Sequence, residues 1–221
     1  MAVLGVDGCR GAWVGALLDG RRVRLLALPD LDAVLRVLDV DAVGIDMPIG
    51  LPDDGPRQCD VEARRRLGRA GSSVFPAPLR AVLGFTDHAT ACEVSRQASG
   101  KALSVQAWNL VPAIRALDAA LGDPPLPHVH EVHPELAFRA LDPRVDAPKA
   151  SARGLAQRVR ALESVMDVLD ALAEAPSGVP VVDALDACAA AWSARRLADG
   201  RATCVGDGAL DSRSRPMRIC W

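Results

Sequence analysis

The strongest constraint on the fold is a run of three short apolar segments at the start of the chain, separated by two tight turns. Residues 1–7, 13–18 and 23–28 have the composition of buried strands, and glycine-containing turns join them at 8–11 and 19–20. Turns this short make consecutive strands pair antiparallel. The pattern therefore predicts a three-stranded antiparallel meander.

A helix and a fourth strand follow the meander. Residues 30–38 carry leucine and valine at helical spacing, and 41–46 form an apolar strand that stops before a Met-Pro dipeptide. Strands that are linked through helices become parallel neighbours in a sheet. Later elements are expected as a fifth strand at 127–133 and helices at 106–121, 154–175 and 183–197. This order predicts an α/β protein with a mixed five-stranded sheet flanked by helices.

The segment 50–105 differs from the rest of the chain because it is rich in proline, glycine, arginine and serine. Only one short helix is expected in it, at 59–67. Apolar residues persist through 74–78, so the segment is an elaborated insertion and not a linker. We expect one domain over residues 1–221, with this insertion after the fourth strand.

Two aspartates end strands that are predicted to be neighbours. Asp7 ends the first strand before a glycine, and Asp46 ends the fourth strand. Carboxyl ends of strands are where α/β sheets bind ligands, and a carboxylate there is costly to bury unless it is paired or metal-bound. Each aspartate alone also fits an ordinary turn. Together they are candidate ligands at one sheet edge.

Further carboxylates are expected near the same edge. Asp183 and Asp186 are three residues apart at the start of the last helix and so share a helix face, and Glu131 lies in the fifth strand. Asp183 also suits a helix N-cap, which would compete with metal binding and favours Asp186 as the inward ligand. Clustered carboxylates need divalent cations, and Mg²⁺ or Mn²⁺ suits an all-oxygen site. Two such ions could activate water and stabilise the leaving oxygen of a phosphodiester.

Other polar residues are weaker candidates. Strand alternation places His128 and His130 on one face, with Glu131 and His133 on the other, so no three-ligand zinc set forms. If the insertion covers the acidic edge, its arginines and serines could hold substrate phosphates. The arginines are otherwise a solvated helix face. The candidate phosphate ligands are Arg10 in the first turn and Arg64, Ser72 and Ser73 in the insertion.

Composition limits the class of partner. Aromatic residues make up 3% of the chain and tyrosine is absent, which disfavours an aromatic platform for single-stranded nucleic acid. A net charge of −2 provides no global attraction to a polyanion. The six cysteines form no C-x-x-C pair, so we expect neither a zinc site nor a disulfide framework. Without a signal peptide or membrane span, a cytoplasmic location is the simplest expectation.

Five ordered segments resemble signature stretches of an uncharacterised family of predicted ribonuclease H-like nucleases, domain of unknown function 429. They are 5–14 (GVDGCRGAWV), 45–52 (IDMPIGLP), 72–78 (SSVFPAP), 131–138 (EVHPELAF) and 183–190 (DALDACAA). The resemblance runs over nearly the whole chain. It implies a ribonuclease H-like fold and a metal-dependent nuclease, although the nuclease label of the family is itself a prediction.

Within that superfamily, the layout is similar to the Holliday-junction resolvases. The resemblance implies that Asp7, Asp46, Asp183 and Asp186 bind the metal ions. That branch often has glutamate where this chain has Asp46, and the shorter side chain would leave the metal site looser or shifted.

Two other functional classes stay open at this stage. One is an ATP-dependent phosphotransferase of the actin and sugar-kinase type, but no second glycine-rich phosphate hairpin follows at mid-chain. The other is a non-catalytic binding protein whose acidic residues only cap and turn. The sequence does not distinguish DNA from RNA as a partner, and it leaves the oligomeric state open, a homodimer included.

Overall fold

The computed structural model describes residues 1–9, 11–37 and 39–221. The chain forms two compact units. The first consists of residues 1–47, 128–203 and 220–221, and the second of residues 48–127 and 204–219. That both belong to one domain, as the sequence predicts, stays a prediction.

The first unit contains a mixed five-stranded sheet with the order β3-β2-β1-β4-β5. Strands β1 to β3 pair antiparallel, whereas β1 pairs with β4, and β4 with β5, in parallel. The strands are β1 Ala2–Cys9, β2 Ala12–Asp19, β3 Arg22–Leu28, β4 Ala42–Ile45 and β5 Val129–Glu131. The predicted meander and mixed sheet are therefore confirmed. The prediction that Asp7 ends the first strand is wrong, because the pairing with β2 continues through Gly8 and Cys9.

The described residues contain eight α-helices. In chain order they are α1 Leu31–Leu35, α2 Gln58–Leu67, α3 His88–Ser99, α4 Val105–Ala120, α5 Pro134–Leu141, α6 Ala152–Glu163, α7 Val168–Ala173 and α8 Val181–Ala198. Helices α2 to α4 belong to the second unit and the others to the first. Two 3₁₀ helices, Gly68–Ser73 and Arg80–Gly84, also lie in the second unit. Leu38, predicted to extend the first helix, lies outside the described residues.

The long helix predicted at 154–175 is wrong, because the chain forms α6 and α7 with a break between them. Arg21 binds this break. Its guanidinium donates to the Glu163 carbonyl at 2.8 Å and to Asp167 Oδ1 at 3.0 Å. An arginine from the β2–β3 turn thereby takes a carbonyl at the end of α6, which would otherwise lack a partner.

The insertion is more helical than predicted, since α3 lies in it in addition to α2. Asp87 caps α3 by accepting from the Thr90 N–H at 2.8 Å, and Gly100 ends it in the left-handed conformation. A local apolar core supports this part of the second unit. Its buried residues are Leu79, Val82, Ala91, Cys92, Leu103, Ala107 and Val111.

Two short strands near the C-terminus were not predicted. They are β6 Cys204–Val205 and β7 Ile219–Cys220, which form a two-stranded sheet. Cys204 and Cys220 are both disulfide-bonded, so the expectation that the chain lacks disulfides is wrong for these two residues. Both are ordinary scattered cysteines in the sequence, and only tertiary structure shows their state. No helix in the described part of the chain combines the length and the apolar character needed to cross a bilayer.

Helix α8 packs against β1, β2 and β4 at the centre of the first unit. A Cβ atom built on Gly5 would lie 2.0 Å from the Ala191 nitrogen and 2.1 Å from the Ala187 carbonyl oxygen. On Gly44 it would lie 2.8 Å from the Ala190 carbonyl oxygen. The helix therefore rests on the backbone of two adjacent strands, and only glycine fits beneath it.

Candidate functional site

Gly5 and Gly44 also show which face of the sheet Asp7 and Asp46 lie on. Gly5 and Gly44 are register partners in the parallel β1–β4 pair, and the Asp46 N–H continues this pairing by donating to the Val6 carbonyl at 2.9 Å. Side chains two residues apart on a strand share a face. Asp7 and Asp46, each two residues after a glycine, therefore lie on the face that α8 covers.

Helix α8 adds the other two predicted aspartates. Asp186 lies one residue before Ala187, which approaches Gly5, and its side chain is buried, with 3% of the residue exposed. Asp183 lies in the first turn of α8. Both carboxylates act on Asp7 through space and raise its pKa. Asp46, Asp183 and Asp186 thus all lie near enough to Asp7 to act on its carboxyl group, and their role as metal ligands stays a prediction.

The expectation that Asp183 caps the last helix is wrong. Helix α8 begins two residues earlier than predicted, at Val181, and Pro180 occupies the N-cap position without a side-chain cap. Asp183 is therefore the third helical residue, where a carboxylate still favours the positive end of the helix dipole. Because the Asp183 side chain does not cap α8, capping does not compete with metal binding at this residue.

The electrostatic cost of this arrangement is visible in the pKa values. Burial raises the pKa of Asp7 well above its usual range, and repulsion from Asp46, Asp186 and Asp183 raises it further. Burial and then repulsion from Asp186 raise the pKa of Asp46 to about 8. Burial also raises the pKa of Asp186. The carboxylates are therefore close enough to oppose each other's ionisation.

Lys149 is the cation that directly binds a carboxylate of the cluster in the described residues, and sequence reasoning missed it. Its Nζ donates to Asp186 Oδ2 at 2.8 Å, and 56% of its side chain is exposed. Burial lowers the pKa of Lys149, but attraction to Asp186, Asp7 and Asp46 outweighs this and the pKa is raised. One signal was available, because Lys149 is one of only two lysines in a chain whose other basic residues are arginines.

A buried ion pair on α5 and α6 holds the loop that carries Lys149. Arg158, 3% exposed, donates to Glu135 Oε2 at 2.6 Å and to the Ala147 carbonyl at 3.1 Å. A Cβ atom on Gly154 would lie 2.0 Å from the Pro148 carbonyl oxygen, so the loop packs directly on the start of α6. The position of Lys149 therefore depends on how the loop is held against α6, in addition to the ion pair between Lys149 and Asp186.

Glu131 lies at the margin of the cluster. It is buried at the end of β5, and its register partner is Ile45, not Gly44. Alternation therefore directs it to the sheet face opposite Asp46. It adds the smallest of the contributions that raise the pKa of Asp46. Its catalytic role stays a prediction.

None of the predicted phosphate ligands belongs to the described part of the first unit. Arg10 lies outside the described residues. Arg64, Ser72 and Ser73 belong to the second unit, where Arg64 donates to the Val74 carbonyl at 2.9 Å and Ser73 to the Ala70 carbonyl at 2.8 Å. Their binding of substrate phosphate stays a prediction.

The donor set is one that a hard divalent cation prefers, because every candidate ligand is a carboxylate oxygen. In the part of the chain that the structure describes, no three His, Cys, Asp or Glu side chains are arranged to hold a metal ion directly. Lys149 is bound to Asp186 instead. Burial raises the pKa values of these carboxyl groups most, and repulsion adds to it at Asp7 and Asp46. A bound cation would offset both effects, so the residues fit such an ion chemically.

Fold and site together define an α/β protein with an acidic cluster on one face of a mixed sheet, beneath its central helix. Residues 5–210 match the model of a family described as a protein of unknown function (DUF429), and the chain therefore belongs to this family. No curated protein and no solved structure matches the chain significantly.

The raised pKa of Asp46 predicts that metal-free protein loses stability as the pH rises. Its folded pKa is about 8 and its unfolded value 3.8, so between these values the folded state holds more protons than the unfolded state. The free energy of unfolding therefore falls with rising pH through this window. From pH 5 to pH 8.5 in EDTA we expect a loss of about 2–4 kcal/mol, after discounting for coupled titration, measured by urea denaturation.

Two comparisons make this test specific. Asp46→Asn should flatten the pH dependence, and Mn²⁺ at pH 8.5 should restore stability to the wild type. A metal-free wild type that is as stable at pH 8.5 as at pH 5 would show that the carboxylates do not repel each other as described.

Proposed function

We propose that this protein is a metal-dependent phosphodiesterase that cleaves nucleic acid, with Mg²⁺ or Mn²⁺ held by Asp7, Asp46, Asp183 and Asp186. The observation that carries the proposal is the convergence of four carboxylates from β1, the end of β4 and α8 on one face of the sheet, with a single lysine among them. Structural carboxylates rarely gather in this way, because each raises the cost of ionising the next.

The topology supports the assignment of this sheet to the ribonuclease H-like type. Three antiparallel strands come first, and the chain then adds β4 in parallel to β1 and β5 in parallel to β4. The membership in a family of unknown function is consistent with it but does not name an activity. A cytoplasmic location and a nucleic-acid partner are parts of the same proposal.

The chain's own residues would prepare the reaction in two ways. Asp7 lies within β1 and Asp46 directly follows β4, so the sheet sets the separation of their backbones. Asp186 and Asp183 present their oxygens from one helix turn, which close packing on Gly5 holds in place. A bound divalent cation would supply the positive charge that activates water and stabilises the phosphate oxygens.

Lys149 would complete the charge balance. It neutralises Asp186 in the described structure, and more than half of its side chain faces solvent. With divalent cations taking over that neutralisation, its ammonium group is available to a substrate phosphate. A lysine suits this use because its charge is compact and its side chain is flexible.

The test is a cleavage assay with purified protein and labelled single-stranded DNA, duplex DNA, four-way DNA junctions, RNA and RNA–DNA hybrids. We expect at least one substrate to be cut in Mn²⁺ or Mg²⁺, and none in EDTA. Mn²⁺ binding measured by calorimetry serves as a second readout. A folded sample that binds no divalent ion and cuts none of these substrates would leave the non-catalytic alternative.

A further inference from the structure

The second unit contains a cavity of about 490 Å³, within the size range of small-molecule sites. All of its lining residues lie between Gly55 and Ala107, so the cavity belongs to this unit alone. Leu79, Leu103 and Ala107 of the local core form apolar parts of its wall. The four clustered aspartates and Lys149 do not line this cavity, whereas Arg64 and Ser72, two of the predicted phosphate ligands, do.

The walls are held by buried polar contacts, so the cavity does not depend on a ligand for its shape. Asp60, 2% exposed, accepts from the Ala77 N–H at 3.0 Å and is paired with Arg57. On another wall, the buried Ser95 hydroxyl donates to the Lys101 carbonyl at 2.7 Å. Prolines at 76 and 78 restrict the backbone between these anchors. A preformed cavity loses less free energy to ordering when a ligand binds.

The polar lining has one sign of charge. Arg64 and Lys101 line the cavity together with several serines, and none of the described lining residues is acidic. This contrasts with a chain whose net charge is −2. The N-terminal turn of α4, capped by Ser104, also lines it, and helix N-termini favour anions.

The apolar lining includes an aromatic ring that the fold does not bury. Phe75 is 42% exposed and lines the cavity beside Pro76. It is one of only three phenylalanines in a chain with few aromatic residues. An exposed ring at the wall of a preformed cavity offers a flat surface for stacking.

From this combination we infer that the cavity binds a small organic anion in which a flat apolar ring is joined to a phosphate or carboxylate group. The ring would pack on Phe75 and the apolar wall, and the anionic group would meet Lys101, Arg64 and the start of α4. This inference does not rest on the proposed nuclease activity, because the acidic cluster belongs to the other unit.

The test is calorimetric titration of the full chain in EDTA with adenosine 5′-monophosphate, phenyl phosphate and benzoate. We expect at least one to bind with a dissociation constant on the order of 10⁻⁵–10⁻⁴ M. Adenosine and inorganic phosphate should each bind at least about tenfold more weakly, since each retains half of the recognised chemistry. The comparison of phenyl phosphate with benzoate identifies the anionic group.

Variants locate the binding. Lys101→Gln should weaken it about tenfold and Phe75→Leu about threefold to tenfold. Arg65→Gln, an exposed arginine on α2 that does not line the cavity, is the matched control and should bind as the wild type does. Asp7→Asn should also leave binding unchanged, which separates this cavity from the acidic cluster.

The inference is overturned if no ring-bearing anion saturates the protein below about 5 mM. It is also overturned if Lys101→Gln and Phe75→Leu both bind like the wild type while remaining folded by circular dichroism.

Discussion

Replacing Asp186 with asparagine should lower the rate of Mn²⁺-dependent cleavage by about 10³-fold, which corresponds to roughly 4 kcal/mol of transition-state stabilisation. Asp186 is the most buried of the four clustered aspartates and the one that binds Lys149. Asparagine keeps the shape but removes the negative charge that attracts a divalent ion. Asp7→Asn should have a similar effect, and both variants should bind Mn²⁺ more weakly in calorimetry.

The same substitutions should not unfold the protein. Burial raises the pKa of Asp7 and Asp46 most and repulsion within the cluster raises it further, so replacing one carboxylate relieves part of this cost in the metal-free protein. We expect the melting temperature of Asp7→Asn in EDTA to be equal to or higher than that of the wild type. Asp186→Asn also loses the ion pair with Lys149, so its melting temperature should stay within about 3 °C of the wild type. Asp170→Asn, an exposed aspartate on α7, is the matched control and should retain full activity. Wild-type rates in both Asp7→Asn and Asp186→Asn would refute the proposed role of the cluster.

Gly5→Ala should destabilise the protein by about 4 kcal/mol or more, at the upper end of what overpacking does. The new Cβ would lie 2.0 Å from a backbone nitrogen and 2.1 Å from a backbone oxygen of α8. No side-chain rotation can relieve a clash with backbone, so the helix must move away from the sheet. For a chain of this size, the melting temperature should fall by roughly 10 °C or more.

Gly8→Ala is the control for this prediction, because Gly8 lies in the same strand and its added Cβ would lie 3.9 Å from the nearest atom, in the Trp13 side chain. This is an ordinary van der Waals contact. Its melting temperature should change by less than about 3 °C. If Gly5→Ala and Gly8→Ala have the same melting temperature, α8 does not rest on β1 as described. A Gly5→Ala protein that stays folded should also bind Mn²⁺ more weakly, since Asp186 would move with the helix.

Much of the sheet could be read from local patterns. Residues 1–28 form the predicted meander because short glycine turns leave antiparallel pairing as the only outcome. The prediction of a single helix at 154–175 failed because a residue distant in sequence contacts this segment. The break between α6 and α7 is bound by Arg21, more than 140 residues away in sequence, and no periodicity in 154–175 reveals it.

The candidate site was partly predictable for the same reason. Asp7 and Asp46 each follow a run of apolar residues, and Asp183 and Asp186 are spaced to share a helix face, so each pair is visible locally. Lys149 lies in a loop with no repeat, and its position depends on Arg158 and on close packing at Gly154. The cavity in the second unit was equally hidden, because its residues come from several elements of the insertion.

The sequence by itself determined the strand meander, the α/β order and four candidate carboxylates, because turn length, periodicity and strand ends are local properties of a chain. Tertiary structure alone decided that glycines at 5 and 44 let α8 lie on the sheet, and hence that the carboxylates share one face with Lys149. Proximity between distant segments depends on which backbones can approach closely, and that is settled only when the helix and the sheet pack together.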